Sequence, residues 1–137
     1  MMKEVWFNLG VKDLKKSKAF FSELGFTFRE SHNSAICECM TIGEKDIVIM
    51  LFDENTLEGF MQLPLTDTSK TCEIMISFDA ESPEAVDAMA AKAEKAGANV
   101  FAKPQSIQGW MYGFAFADPD GHRWNMLYMD PSKMQPC

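Results

Sequence analysis

No run of apolar residues in the 137-residue chain approaches the roughly 20 that a membrane-spanning helix needs. The opening residues, Met1-Met2-Lys3-Glu4-Val5-Trp6, lack the hydrophobic stretch of a secretory signal. A cytoplasmic protein without a membrane partner is therefore expected. Basic charge is also scarce. Thirteen Lys and Arg face 20 Asp and Glu, for a net charge of −7. Such a surface repels a phosphate backbone, so no nucleic-acid partner is expected. The one lysine cluster, Lys12, Lys15, Lys16 and Lys18 beside Asp13, reads as a solvated helix face. Cysteine is limited to positions 37, 39, 72 and 137. Without a secretory signal these are expected to be reduced thiols acting as small hydrophobes. Cys37-Glu38-Cys39 puts two thiols on one side of a strand and lacks the spacing of a structural zinc site. No glycine-rich strand-to-helix loop of the nucleotide-cradling kind is present either.

What is present is ordinary globular composition, 47% hydrophobic and 24% charged. A chain of this length buries roughly two-thirds of its unfolded surface and needs no staple to hold a core. One domain over 1–137 is expected. Val5, Phe7, Leu9 and Val11 alternate with Trp6, Asn8 and Gly10, which predicts a strand. Asp13 then caps a helix carrying Leu14, Phe20, Phe21 and Leu24, and Gly25 ends it. Strands follow over 26–29, 35–42 and 47–52. Residues 54–70 are polar and turn-prone and read as a connection, although Leu57, Phe60, Met61 and Leu63 call for apolar cover. The same order then returns. A strand is expected over 72–79. Ser82-Pro83-Glu84 starts a helix that Gly97 ends, and strands follow at 99–102, 112–117 and 123–129. The matching order of elements in the two halves points to a structural duplication. The fold class is α+β: two βαβββ modules, 3–53 and 71–130, forming a cupped mixed sheet with helices on the outer face.

The stretch from Val11-Lys12-Asp13-Leu14 to Leu24-Gly25-Phe26, together with Phe116-Ala117-Asp118-Pro119-Asp120-Gly121-His122, resembles the vicinal oxygen chelate superfamily. That group contains glyoxalase I, extradiol dioxygenases, fosfomycin-resistance enzymes and bleomycin-binding proteins. Phe7-Asn8-Leu9-Gly10-Val11 and Gly109-Trp110-Met111-Tyr112-Gly113 are most similar to its PhnB-like, glyoxalase-like bacterial branch. The resemblance implies a homodimer, with residues 57–63 or the Trp110 loop partly covered. It also implies a divalent metal held by one His, Gln or Glu on each of four inner strands. The corresponding positions here hold Trp6, Met50, Glu73 and Asn125. An indole cannot bind a metal, and a thioether is a poor ligand for a hard divalent ion. His32 and His122 sit in or beside turns and read as structural. No metal ligand and no cofactor is assigned.

Strand parity independently places these same positions on the face opposite the bulky aliphatic sets Val5/Phe7/Leu9, Ile47/Ile49/Leu51 and Ile74/Ile76/Phe78. The expected cavity is lined by Trp6, Asn8, Met50, Phe52, Glu73, Met75 and Asn125, with Trp110 and Tyr112 at its mouth. Glu73 is the candidate catalytic residue, a desolvated general base or acid; the alternative is pairing with Arg123 or Lys103, or plain hydration in an open cup. Asn8, Ser77 and Asn125 either orient a ligand, pair among themselves or contact water. Eleven methionines suit an adaptable binding surface or a core. The expected function is small-molecule binding by a glyoxalase- or bleomycin-resistance-like protein with a degenerate metal site. A metal-dependent lyase or dioxygenase, and a metal-free enzyme using Glu73, remain open alternatives.

Overall fold

The computed structural model describes residues 1–30 and 33–134. His32 and Cys137 lie outside the described residues. The chain divides into two compact units, Met1–Asp67 and Thr68–Cys137.

In the first unit β1 (Trp6–Val11), α1 (Leu14–Glu23), β2 (Thr27–Arg29), β3 (Cys37–Ile42), β4 (Ile47–Asp53) and α2 (Glu54–Met61) follow one another. The sheet order is β1-β4-β3-β2, with β1 and β4 parallel and the other pairs antiparallel. The carboxylate of Asp13 accepts the Lys16 N–H at 3.1 Å to start α1, and Gly25 ends it at a φ of 94°. The helix packs on β2, β3 and β4. Phe20 and Phe21 there meet Met40, Ile49 and Leu51, all five nearly or fully buried. Glu38 shares that face and is buried, held by Lys18 of α1 at 3.4 Å. Lys18, part of the cluster expected to be solvated, thus neutralises a buried acid and also lies over the Phe28 ring.

The second unit runs β5 (Met75–Asp79), α3 (Pro83–Lys95), β6 (Asn99–Ile107), β7 (Met111–Ala117) and β8 (Arg123–Met129). Its sheet order is β5-β8-β7-β6, with β5 and β8 parallel. Ser82 accepts the Ala85 N–H at 3.1 Å ahead of Pro83, and Gly97 ends α3 at a φ of 98°. Val86, Ala90 and Ala93 of α3 are buried, as are Phe114, Phe116 and Trp124 of the sheet. The Phe116 and Trp124 rings stack with centroids 6.4 Å apart. The Asp118-Pro119-Asp120-Gly121 turn is organised by the buried Asp118. Its carboxylate accepts the N–H groups of Asp120 (2.9 Å) and His122 (3.0 Å) and the Trp124 indole N–H (3.1 Å). Burial pushes this carboxyl above the usual carboxylate range, partly offset by the charge of His122 and the indole donor.

Each unit is thus a βαβββ module with a four-stranded mixed sheet, and the three helices complete an α+β fold. Four local expectations need correction. First, 54–70 is not a bare connection: 54–61 is α2. Asp53 caps it, accepting from the Thr56 N–H at 3.1 Å and hydroxyl at 2.5 Å, which holds the carboxyl below its ordinary range. Leu57 is buried, whereas Phe60, Met61 and Leu63 are exposed. Second, the fifth strand begins at Met75 rather than Cys72. Its partner β8 begins at Arg123, just after the Asp118 turn, so earlier residues have no ladder to join. Third, β6 runs through Lys103-Pro104 to Ile107. It is an edge strand with register shifts on both sides of Ala102, and a missing N–H is tolerated there. Residues 108–110 are accordingly a tight turn rather than an open loop. The Trp110 N–H donates to the Ile107 carbonyl at 3.3 Å, and the Trp110 carbonyl accepts from the Asp130 N–H at 2.9 Å. Fourth, Val5 and Phe7 are exposed. They stand on or before edge strand β1, and burial on that strand begins at Leu9.

Candidate functional site

The face of the first sheet away from α1 is fixed by register. Residues paired across neighbouring strands point to the same side. One row therefore reads Thr27, Thr41, Val48 and Trp6 across β2-β3-β4-β1, and the next reads Arg29, Cys39, Met50 and Asn8. A third row holds Cys37, Phe52 and Gly10. Helix α2 lies over this last row. Phe60 meets Phe52 edge-on, with ring centroids 5.4 Å apart, and a Cβ on Gly10 would come within 3.4 Å of Leu57 and 2.5 Å of Leu65. Gly10 is thus small because α2 and Leu65 approach it closely.

The other two rows stay uncovered within the unit, and a cavity of about 520 Å³ opens there. Trp6, Val48, Met50 and Cys39 form its floor. Arg29 stands at the β2 margin, and Lys3, Glu4, Lys45 and Asp46 close the end. Trp6 is 56% exposed, as a residue on an open floor should be. The Thr27 and Thr41 hydroxyls satisfy each other at 2.5 Å, which keeps that corner from competing for ligand.

The sequence-derived candidates fall into groups. Trp6, Asn8, Met50 and Phe52 share this one face, and Trp6 and Met50 line the same cavity. Met75 and Asn125 share a face of the second sheet, together with Ser77. The Ser77 hydroxyl donates to the Asn125 side-chain carbonyl at 2.5 Å, so these two pair directly. Two placements differ from expectation. Glu73 lies in a bend ahead of β5 and is exposed, not desolvated on a strand. Arg123, its expected alternative partner, stacks instead on Phe101, its guanidinium 4.4 Å from the ring centroid. Tyr112 is on the α3 face, where its hydroxyl donates to Asp87 at 2.7 Å, and Trp110 occupies the tight turn before it. That carboxylate acceptor raises the Tyr112 pKa. Sequence reading missed Arg29, Cys39, Lys3 and Lys45 as lining residues. The signal was available for two of them: strand parity on β2 and β3 places Arg29 and Cys39 on the face of Met50.

The four positions where the resemblance implies metal ligands do not fit a divalent ion. Trp6 and Met50 offer an indole and a thioether. Glu73 stands off the strand, and the Asn125 carbonyl already accepts from Ser77. Among the described residues no group of three or more His, Cys, Asp or Glu side chains converges.

Three solved structures illustrate the similarity. A hypothetical protein from S. aureus is 33% identical over 93% of this chain and 94% of its own, with a TM-score of 0.84. A glyoxalase/bleomycin resistance protein/dioxygenase family enzyme from Burkholderia phytofirmans is 23% identical, covering 90% and 96%, with a TM-score of 0.78. The genomically encoded fosfomycin resistance protein FosX from Listeria monocytogenes is 19% identical, covering 96% and 97%, with a TM-score of 0.69. Comparison with curated proteins finds no match. The sequence model of the Glyoxalase/Bleomycin resistance protein/Dioxygenase superfamily matches residues 5–126. With that match across both βαβββ modules, the chain belongs to the glyoxalase/bleomycin resistance protein/dioxygenase superfamily.

Proposed function

We propose that this protein is a metal-independent small-molecule binder, a drug- or metabolite-binding member of its superfamily. The observation that carries the reading is the 520 Å³ cavity on the Trp6–Met50 face. Its volume lies in the range of small-molecule sites, and it joins an apolar floor that includes Trp6, Val48 and Met50 to a charged margin of Lys3, Glu4, Arg29, Lys45 and Asp46. Two of the family's metal positions, Trp6 and Met50, thereby serve as contact surface. Asn8 and Phe52 extend that surface. Glu73 as a general base has weaker support, because an exposed carboxylate in a bend lacks the burial that tunes such groups. The reading further takes 1–137 as one domain and the protein as a cytoplasmic homodimer of the PhnB-like branch. The Phe7–Val11 and Gly109–Gly113 stretches support the branch, and the exposed apolar residues of 60–63 support the dimer.

The test is a thermal-shift screen of metabolites and antibiotics, followed by titration of any hit into the Trp6→Ala variant. A ligand at a hundred times its Kd stabilises by about 2.7 kcal/mol. Loss of binding in Trp6→Ala with an unchanged melting temperature supports the site. Full binding by that variant, or a stoichiometric metal retained through dialysis, overturns the reading.

A further inference from the structure

We propose that the cavity of the first unit selects anionic ligands: a flat apolar body lies on Trp6 and Met50, and a carboxylate, sulfonate or phosphate-type group is held by Arg29. This rests on the binding reading above and deepens it.

Arg29 pairs with Cys39, Cys39 with Met50, and Met50 with Asn8. The guanidinium therefore rises from the same face as the apolar floor, at the margin formed by edge strand β2. Lys3 and Lys45 line the same cavity, against Glu4 and Asp46. Three cations against two acids reverse the sign of a chain whose net charge is −7. Among the described residues no carboxylate stands within ion-pairing distance of Arg29, Lys3 or Lys45. The guanidinium is thus available to an incoming group, and its planar fork matches a carboxylate or phosphate oxygen pair. The acidic remainder of the surface discourages anions from settling elsewhere, so the local reversal also favours arrival at this face. Neutral ligands would gain only the Trp6–Met50 surface.

The experiment uses two probes with the same rings and different charge, anilinonaphthalene sulfonate and N-phenylnaphthylamine. Each is titrated by fluorescence into the full chain, Arg29→Gln, Arg29→Lys and Trp6→Ala. Both substituted residues are exposed, so the fold should tolerate each change. Arg29→Gln should weaken the sulfonate by about tenfold or more, the scale of a hydrogen bond to a charged group, and leave the neutral probe within about twofold. Arg29→Lys should retain part of the sulfonate affinity, and added salt should weaken only the sulfonate. If Arg29→Gln spares both probes or weakens both alike, the anion selectivity is wrong while the cavity stands. If Trp6→Ala leaves both probes bound as before, the cavity reading itself fails and the selectivity falls with it.

Discussion

At the scale of single residues, small and polar side chains fix the geometry more than the large ones do. Gly121 adopts a φ of 93°, and a Cβ there would stand 2.5 Å from the Thr68 carbonyl oxygen. Gly121→Ala should therefore cost about 1–3 kcal/mol by urea unfolding, since neither the backbone conformation nor the carbonyl can give way easily. Asp118 behaves differently. Asp118→Ala removes the acceptor of the buried Trp124 indole N–H and should cost about 1–3 kcal/mol. Its acid–base sign is unusual. The folded carboxyl titrates above its ordinary value, so the folded state binds more protons than the unfolded one in the interval between them. Stability contributed by this group should fall as pH rises from about 4 through that interval. The difference between the native protein and Asp118→Asn, followed against pH, isolates it; a difference independent of pH contradicts the assignment. The turn itself was readable from Asp-Pro-Asp-Gly, but the role of Asp118 depends on Trp124 folding back across the turn. Arg29 was missed for a related reason: its importance comes from a neighbour two strands away, Met50, rather than from its own sequence context.

Among the elements, strands with alternating patterns and helices with caps were readable, and the failures have two causes. Leu14–Glu23 and Pro83–Lys95 announce themselves through Asp13, Ser82-Pro83 and the following glycines. Ser82→Ala should accordingly cost about 1 kcal/mol of stability. Helix α2 has equivalent signals, with Asp53 as cap and Leu57, Phe60 and Met61 at helical spacing, but the turn residues from Pro64 to Ser69 masked them. Its position gives it meaning: Leu57 lies against β1 and Phe60 against Phe52, so one end of the candidate binding face is roofed by helix. Leu57→Ala should cost about 2–4 kcal/mol in unfolding experiments, because a buried side chain over Gly10 leaves a cavity behind. The boundaries at Cys72 and Pro104 were misjudged because strand ends are set by the partner strand. Pattern alone does not show where β8 begins or that β6 lies at an edge.

For the whole molecule, the proposed homodimer makes a direct prediction. Sedimentation at micromolar concentration should give twice the 15.5 kDa chain mass. Phe60→Asp with Leu63→Asp should shift it toward one chain, since both residues are more than half exposed in the single chain. A dimer that survives this double change places the interface elsewhere. The proposed metal independence is checked by melting with and without EDTA, with no shift expected. One feature of both sheets bears on how the chain is made. In each unit the first strand pairs in parallel with the last, Trp6 with Val48 and Met75 with Arg123. On the ribosome β1 must wait for β4 and β5 for β8, which at about 5–20 residues per second is a delay on the order of seconds. During it Val5, Trp6 and Phe7 present a naked strand edge, flanked on one side by Lys3 and Glu4, whose charges oppose pairing with a neighbouring nascent chain. Neutralising Lys3 and Glu4 together should therefore lower soluble yield more than it lowers the stability of the finished protein.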